Sequence, residues 1–113
     1  MSAYFTITGG APPVFVPKSV YRATSSYSVQ PTDFYIGCNG VGIAITLPTG
    51  SSVNPGQTFV VKDESGLIST NSSYRITINT PDSNTIDGSS SLTVVTSWTS
   101  VTLLWTGLTW SII

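Results

Sequence analysis

Ser100-Val101-Thr102-Leu103-Leu104-Trp105 runs into Thr106-Gly107 and then into Leu108-Thr109-Trp110-Ser111-Ile112-Ile113. Large apolar residues recur here mostly at every second position, with Thr or Ser between them. Side chains of a strand point alternately to its two faces, so an apolar period of 2 marks a strand with one face buried. The Thr-Gly step has turn chemistry, and the two runs read as a β-hairpin.

The same rhythm extends upstream. Strands are predicted over Tyr21–Thr24, Tyr27–Gln30, Phe34–Cys38, Gly42–Leu47, Thr58–Lys62, Arg75–Asn79, Thr85–Ile86 and Leu92–Thr96, before the final pair Ser100–Trp105 and Leu108–Ile112. Breakers such as Pro31-Thr32-Asp33, Pro48-Thr49-Gly50, Asn54-Pro55-Gly56 and Asp87-Gly88 separate them. Many short strands between regular turn signals indicate an all-β sandwich or barrel. No window has helical apolar spacing, and only one short turn is expected, near Ser51–Pro55. The expected fold is a jelly-roll-like antiparallel β-sandwich spanning residues 19–113.

Residues 1–18 differ in character. Tyr4-Phe5-Thr6-Ile7-Thr8 alternates, and then Gly9-Gly10, Pro12-Pro13 and Pro17 exclude a helix or a central strand. Solvated tails are poor in bulky residues. Tyr4, Phe5, Val14 and Phe15 therefore mark an extended anchoring arm that docks on the module, on a neighbouring copy or on a larger scaffold.

Composition narrows the function. Four basic and five acidic residues make up 8% of the 113 positions, against about 25% in ordinary globular domains. Ser and Thr fill 35 positions and supply the polarity instead. Four cations cannot build a phosphate-binding surface or a polybasic membrane patch, so neither nucleic acid nor a membrane is an expected partner. No apolar run approaches the roughly 18 residues that cross a bilayer. The first residues lack the basic region and apolar core of a signal peptide, and the chain is expected to be made in the cytoplasm. Cys38 stands alone, which excludes an intrachain disulfide and a thiolate metal cage; it reads as a small buried residue.

Catalytic constellations are missing. There is no histidine, so Ser-His-Asp and Cys-His chemistry are excluded. Asp63-Glu64 are adjacent, which aims them to opposite faces, and the pair reads as a solvated turn and not a glycosidase dyad. Asp82-Ser83-Asn84-Thr85-Ile86-Asp87-Gly88 has oxygen ligands at alternate positions but lacks the closing Glu of a calcium loop. Asp-Gly is also a tight-turn dipeptide, and turn chemistry is the preferred reading. No cofactor, metal or enzymatic activity is expected.

Two features point outward. Several strands are apolar on both faces: Val60 opposes Phe59 and Val61, Leu104 opposes Leu103 and Trp105, and Val95 opposes Val94. A sandwich buries one face of each sheet, so Val60, Val95 and Leu104 are expected at the seam of a homo-oligomer. Trp105 and Trp110 are in phase with their hairpin's core positions. Trp98 and Tyr74 lie outside that phase, and they are the candidate exposed platforms for a glycan.

The module resembles a β-rich domain of tailed-bacteriophage virion proteins, found in tail fibres and in head fibres or decorations. The residues carrying the resemblance are Ile43-Ala44-Ile45-Thr46-Leu47-Pro48, Pro55-Gly56-Gln57-Thr58-Phe59-Val60-Val61-Lys62-Asp63, Ile76-Thr77-Ile78, Thr85-Ile86-Asp87-Gly88 and Ser100–Trp105 with Trp110. It implies a non-enzymatic, trimeric virion projection with a jelly-roll-like sandwich. The family's binding residues do not carry over. A short arm stands here where a fibre has a shaft. The expectation is therefore a capsid decoration (cement) or short head-fibre protein, fastened by its arm to a major capsid or tail protein. A tail-fibre-type module that binds host-surface glycans stays open beside it.

Overall fold

The computed structural model describes residues 15–113. It contains nine strands: β1 Val20–Ala23, β2 Tyr27–Ser28, β3 Tyr35–Cys38, β4 Ala44–Thr46, β5 Thr58–Asp63, β6 Ile76–Asn79, β7 Ser91–Val94, β8 Ser100–Trp105 and β9 Trp110–Ile112. Two single 3-10 turns, Gly50–Ser52 and Ser72–Tyr74, are the sole helical pieces among the described residues. The first falls at the turn expected near Ser51–Pro55. No helix there is long and apolar enough to cross a membrane.

The strands form two mixed sheets. One has five strands in the order β1-β3-β5-β8-β9, and the other has four in the order β2-β4-β6-β7. Strands β1 to β6 strictly alternate between the sheets, so each turn of chain adds one strand to each. Within a sheet these strands pair in parallel: β1 with β3, β3 with β5, β2 with β4 and β4 with β6. Only β5–β8, β6–β7 and β8–β9 are antiparallel. The all-β expectation holds, whereas the antiparallel pairing expected throughout is confined to β5–β8, β6–β7 and β8–β9. The reason is geometric. Parallel neighbours need a long crossover, usually a helix. Here the crossover is itself a strand of the opposite sheet, and its turn residues look like hairpin turns in the sequence.

Register aligns the apolar phases into rows. Ile36, Val61 and Val101 share one row of the larger sheet, and Phe59, Leu103 and Ile112 share the next. In the smaller sheet Tyr27, Ile45, Ile78 and Leu92 lie side by side. One hydrophobic cluster takes side chains from both sheets, with Trp110, Phe59, Ile36, Ile45 and Ile78 fully buried. The Trp110 ring lies 5.2 Å from Trp105 and 5.8 Å from Phe59, centroid to centroid, in tilted arrangements that aromatic pairs favour. The core reading of Trp105 and Trp110 is therefore correct.

Most strand boundaries shift by one or two residues from the sequence reading, and two differences have a clear local cause. Leu108 lies in the turn, not in a strand, because Thr106 N–H donates to Thr109 O at 3.0 Å and closes a four-residue loop with Gly107 at φ 100°. Thr85–Ile86 makes only isolated bridges, one of them pairing Ile86 with Ser89 across Asp87-Gly88. Asp87 and Gly88 have φ of 48° and 86°, the backbone of a type I′ turn. The turn reading of Asp-Gly holds, and Asp87 Oδ1 is engaged by Ile112 N–H at 3.2 Å.

Trp110 is the test of this core. Its indole N–H is buried without a hydrogen-bond partner, alone in this among the described residues. Trp110→Ala is expected to cost about 3–5 kcal/mol through the cavity it leaves. Trp110→Phe should cost clearly less, since it keeps most of the ring and removes the orphaned donor. Urea unfolding of both variants checks this order.

Candidate functional site

The best-built surface feature sits where β5 ends. Asp63 continues the inward phase of Phe59 and Val61, so its carboxylate enters the protein and is only 1% exposed. The expected solvated turn is thus corrected for Asp63: strand alternation persists one residue beyond the apolar run. A buried carboxylate must be hydrogen-bonded. Oδ1 accepts from Ser65 N–H at 2.9 Å and Ser65 Oγ at 2.6 Å, and Oδ2 accepts from Gly66 N–H at 3.1 Å and Trp98 N–H at 3.0 Å. Burial disfavours the charge. The Ser65 hydroxyl and the backbone N–H groups of Trp98, Ser65 and Gly66 outweigh it and hold the carboxyl below the ordinary aspartate value of 3.8.

These bonds lock the 64–69 and 95–99 loops together. Asp63 N–H donates to Thr99 O at 3.0 Å. Ser69 and Ser97 exchange reciprocal bonds from backbone N–H to side-chain hydroxyl, both 2.9 Å. Lys62 Nζ donates to Trp98 O, with its ammonium 5.9 Å from the indole. Trp98 is held at φ 63°, a left-handed conformation that costs a bulky residue energy. Its ring lies against Gly66. A Cβ built there would be 2.4 Å from Trp98 Cζ2, so only glycine fits beneath the indole. Trp98 remains 59% exposed. The result is a rigid aromatic plate with a supported underside, suited to stacking and cation–π contacts.

The other platform candidate is placed differently. Tyr74 is half-buried and packs against the core, so it is not a free plate beside Trp98. The seam candidates also separate. Val60 and Leu104 are half-buried on the outer face of the five-stranded sheet, where Val60 pairs with Thr102 and Leu104 with Thr58. Val95, 52% exposed, instead lines a furrow beside β7. That furrow, about 220 Å³, is lined by residues 92–96, Thr99, Val101 and Ile112, three of them threonines. A larger and more polar groove, about 500 Å³, lies between Lys18, Asp33, Phe34 and Gln57. Of the arm residues, Phe15 is 84% exposed; Tyr4, Phe5 and Val14 lie outside the described residues.

Reactive groups are tied up. Cys38 is buried, and burial together with the Asp63 and Glu64 carboxylates pushes its thiol up to about 12. Glu64 folds back over Gly37, accepting from Tyr35 Oη at 2.6 Å and Arg22 Nε at 3.2 Å. Burial and the Glu64 hydrogen bond push Tyr35 up to about 12. Among the described residues no group of three His, Cys, Asp or Glu side chains could hold a metal ion. Sequence reasoning singled out Trp98 but missed its supports. The parity of Asp63 with Phe59 and Val61 was the available signal.

Asp63 makes this corner pH-dependent. Its folded-state pKa is depressed, so its stabilisation is present above about pH 4 and lost as pH falls through and below that value. Asp63→Asn should cost about 2 kcal/mol at neutral pH by leaving buried donors underserved. It should also flatten the acid limb of stability against pH, measured by denaturant unfolding between pH 2 and 7. No protein-family model matches the chain, and no curated protein matches it.

Proposed function

We propose that this protein is a non-enzymatic structural module that works by self-association. In the fullest version it is a trimeric phage capsid decoration (cement) or short head-fibre protein in the virion, with its two sheets acting as a jelly-roll-like sandwich. The phage setting, the trimer and the anchoring to a major capsid or tail protein rest on the motif resemblance. One structural observation supports self-association. At the furrow, the buried Val94 and Val101 come to the surface beside the partly exposed Leu92 and Ile112, and no element among the described residues is laid over them. Apolar surface of that kind favours a partner. Low charge removes the repulsion that would keep copies apart.

The reading predicts that the purified chain sediments as a trimer at micromolar concentration, and a monomer would sink it. Phe5→Ala and Phe15→Ala should abolish incorporation into particles while leaving the fold intact by circular dichroism. Normal incorporation of both variants would remove the arm from the proposal. Electron microscopy of particles containing the chain tests its position on head or tail.

A second reading is favoured by the strained, supported indole of Trp98. Strain kept at an exposed residue marks candidate ligand sites. In this version the module recognises host-surface glycans through Trp98, with the half-buried Tyr74 a weaker contact. Trp98→Ala should abolish retention on host polysaccharide with oligomeric state unchanged. A glycan array with no hits for the unmodified protein would dismiss it.

A further inference from the structure

Asn39-Gly40 follows the last residue of β3 and belongs to neither surface described above. The loop it opens is fastened at both ends. Asn39 N–H donates to Ala23 O at 2.9 Å, and Gly42 N–H donates to Ser73 O at 2.9 Å. Between them, Gly40 N–H has no hydrogen-bond partner among the described residues. Asn39 is exposed, and no hydrogen bond among the described residues holds its carboxamide. Gly40 is required here by contact. A Cβ built on it would be 2.4 Å from Thr24 O, so only a bare Cα fits beside the end of β1. The packing thus sets an unheld carboxamide directly before an unbonded N–H that no side chain shields.

We propose that Asn39-Gly40 is a self-modification site, at which the folded chain converts Asn39 to aspartate and isoaspartate. The Gly40 nitrogen attacks Asn39 Cγ. The new Cγ–N bond closes a succinimide ring, the Cγ–Nδ2 bond breaks, and the Gly40 proton leaves with the amide nitrogen as ammonia. Water then opens the ring. Cleavage of the new Cγ–N bond leaves an ordinary aspartate. Cleavage of the original peptide C–N bond leaves isoaspartate, with the main chain running through Cβ and Cγ. The remaining asparagines are protected. Asn54 precedes Pro55, which has no N–H. Asn71 Oδ1 accepts from Ser73 N–H at 3.1 Å and from Ser73 Oγ at 2.5 Å. Asn79 and Asn84 precede Thr80 and Thr85, whose branched side chains crowd the attacking nitrogen. Either product adds one carboxylate to a chain of net charge −1. Isoaspartate also inserts a main-chain carbon ahead of Gly40. That is next to the point where Cys38 O takes Glu64 N–H at 2.8 Å and the β3–β5 ladder ends. The modification therefore marks the age of a molecule by its charge and by a loosened strand end.

Incubating the full chain in mildly alkaline buffer, below its unfolding temperature, and following its digest by mass spectrometry tests this. The fragment holding Asn39 should gain the mass difference between a hydroxyl and an amino group and resolve into two forms, one of them labelled by an isoaspartyl methyltransferase. Its conversion should run within about tenfold of that of a free peptide of the same sequence, because the loop gives up no hydrogen bond of Gly40 N–H or of the carboxamide. The other four asparagines should stay intact over the same interval. Asn39→Ser should abolish ammonia release and leave the far-ultraviolet spectrum unchanged. Three results would each overturn the proposal: conversion slower than that tenfold margin, another asparagine converting as fast, or undiminished ammonia release from the Asn39→Ser variant.

Discussion

Strands of two to six residues cannot hold a sheet together by backbone pairing alone; here they survive because two sheets close on a single apolar core. The constraint is parity. Every inward residue must meet an inward residue of the opposite sheet, so a slip of one position would turn Phe59, Val61, Leu103 and Trp105 to solvent at once. The parallel winding of β1 to β6 satisfies that constraint with short connections. Each strand's crossover is the strand that faces it. The antiparallel β8 and β9 then pair onto β5 and place Trp110 at the centre.

Parity also explains the most polar feature of the interior. Asp63 is in the inward phase because β5 continues past its apolar residues. Its carboxylate avoids the penalty of burial by gathering four donors from two loops. Trp98 is consequently fixed at positive φ with its ring on Gly66. A core position thus produces a surface property, an indole displayed without freedom to turn away. Glu64, one residue on, takes the outer phase and settles over Gly37, where any side chain would displace it.

The two surfaces differ in chemistry. The Trp98 plate is rigid, partly polar around its rim and suited to a small flat ligand. The flank furrow is apolar and bordered by β7, whose outer edge pairs with no other strand among the described residues. Neither needs a titrating or nucleophilic group. Cys38 and Tyr35 are both held in their protonated forms, with values near 12.

The alternating Thr/Ser and apolar residues made the strand content, the core tryptophans and the Asp87-Gly88 turn legible from the chain alone, because these depend on neighbours two to four positions apart. Partner choice was not legible. Whether a turn folds a strand back beside its predecessor or carries it across to the other sheet depends on contacts between residues ten or more positions apart, and the same Pro, Gly and Asn punctuation serves both. For the same reason Val60, Val95 and Leu104, alike in sequence as second-face residues, ended on two different surfaces. The burial of Asp63 was written in its parity. Its four donors, from loops thirty-five residues apart at their farthest, came together only when the sheets closed.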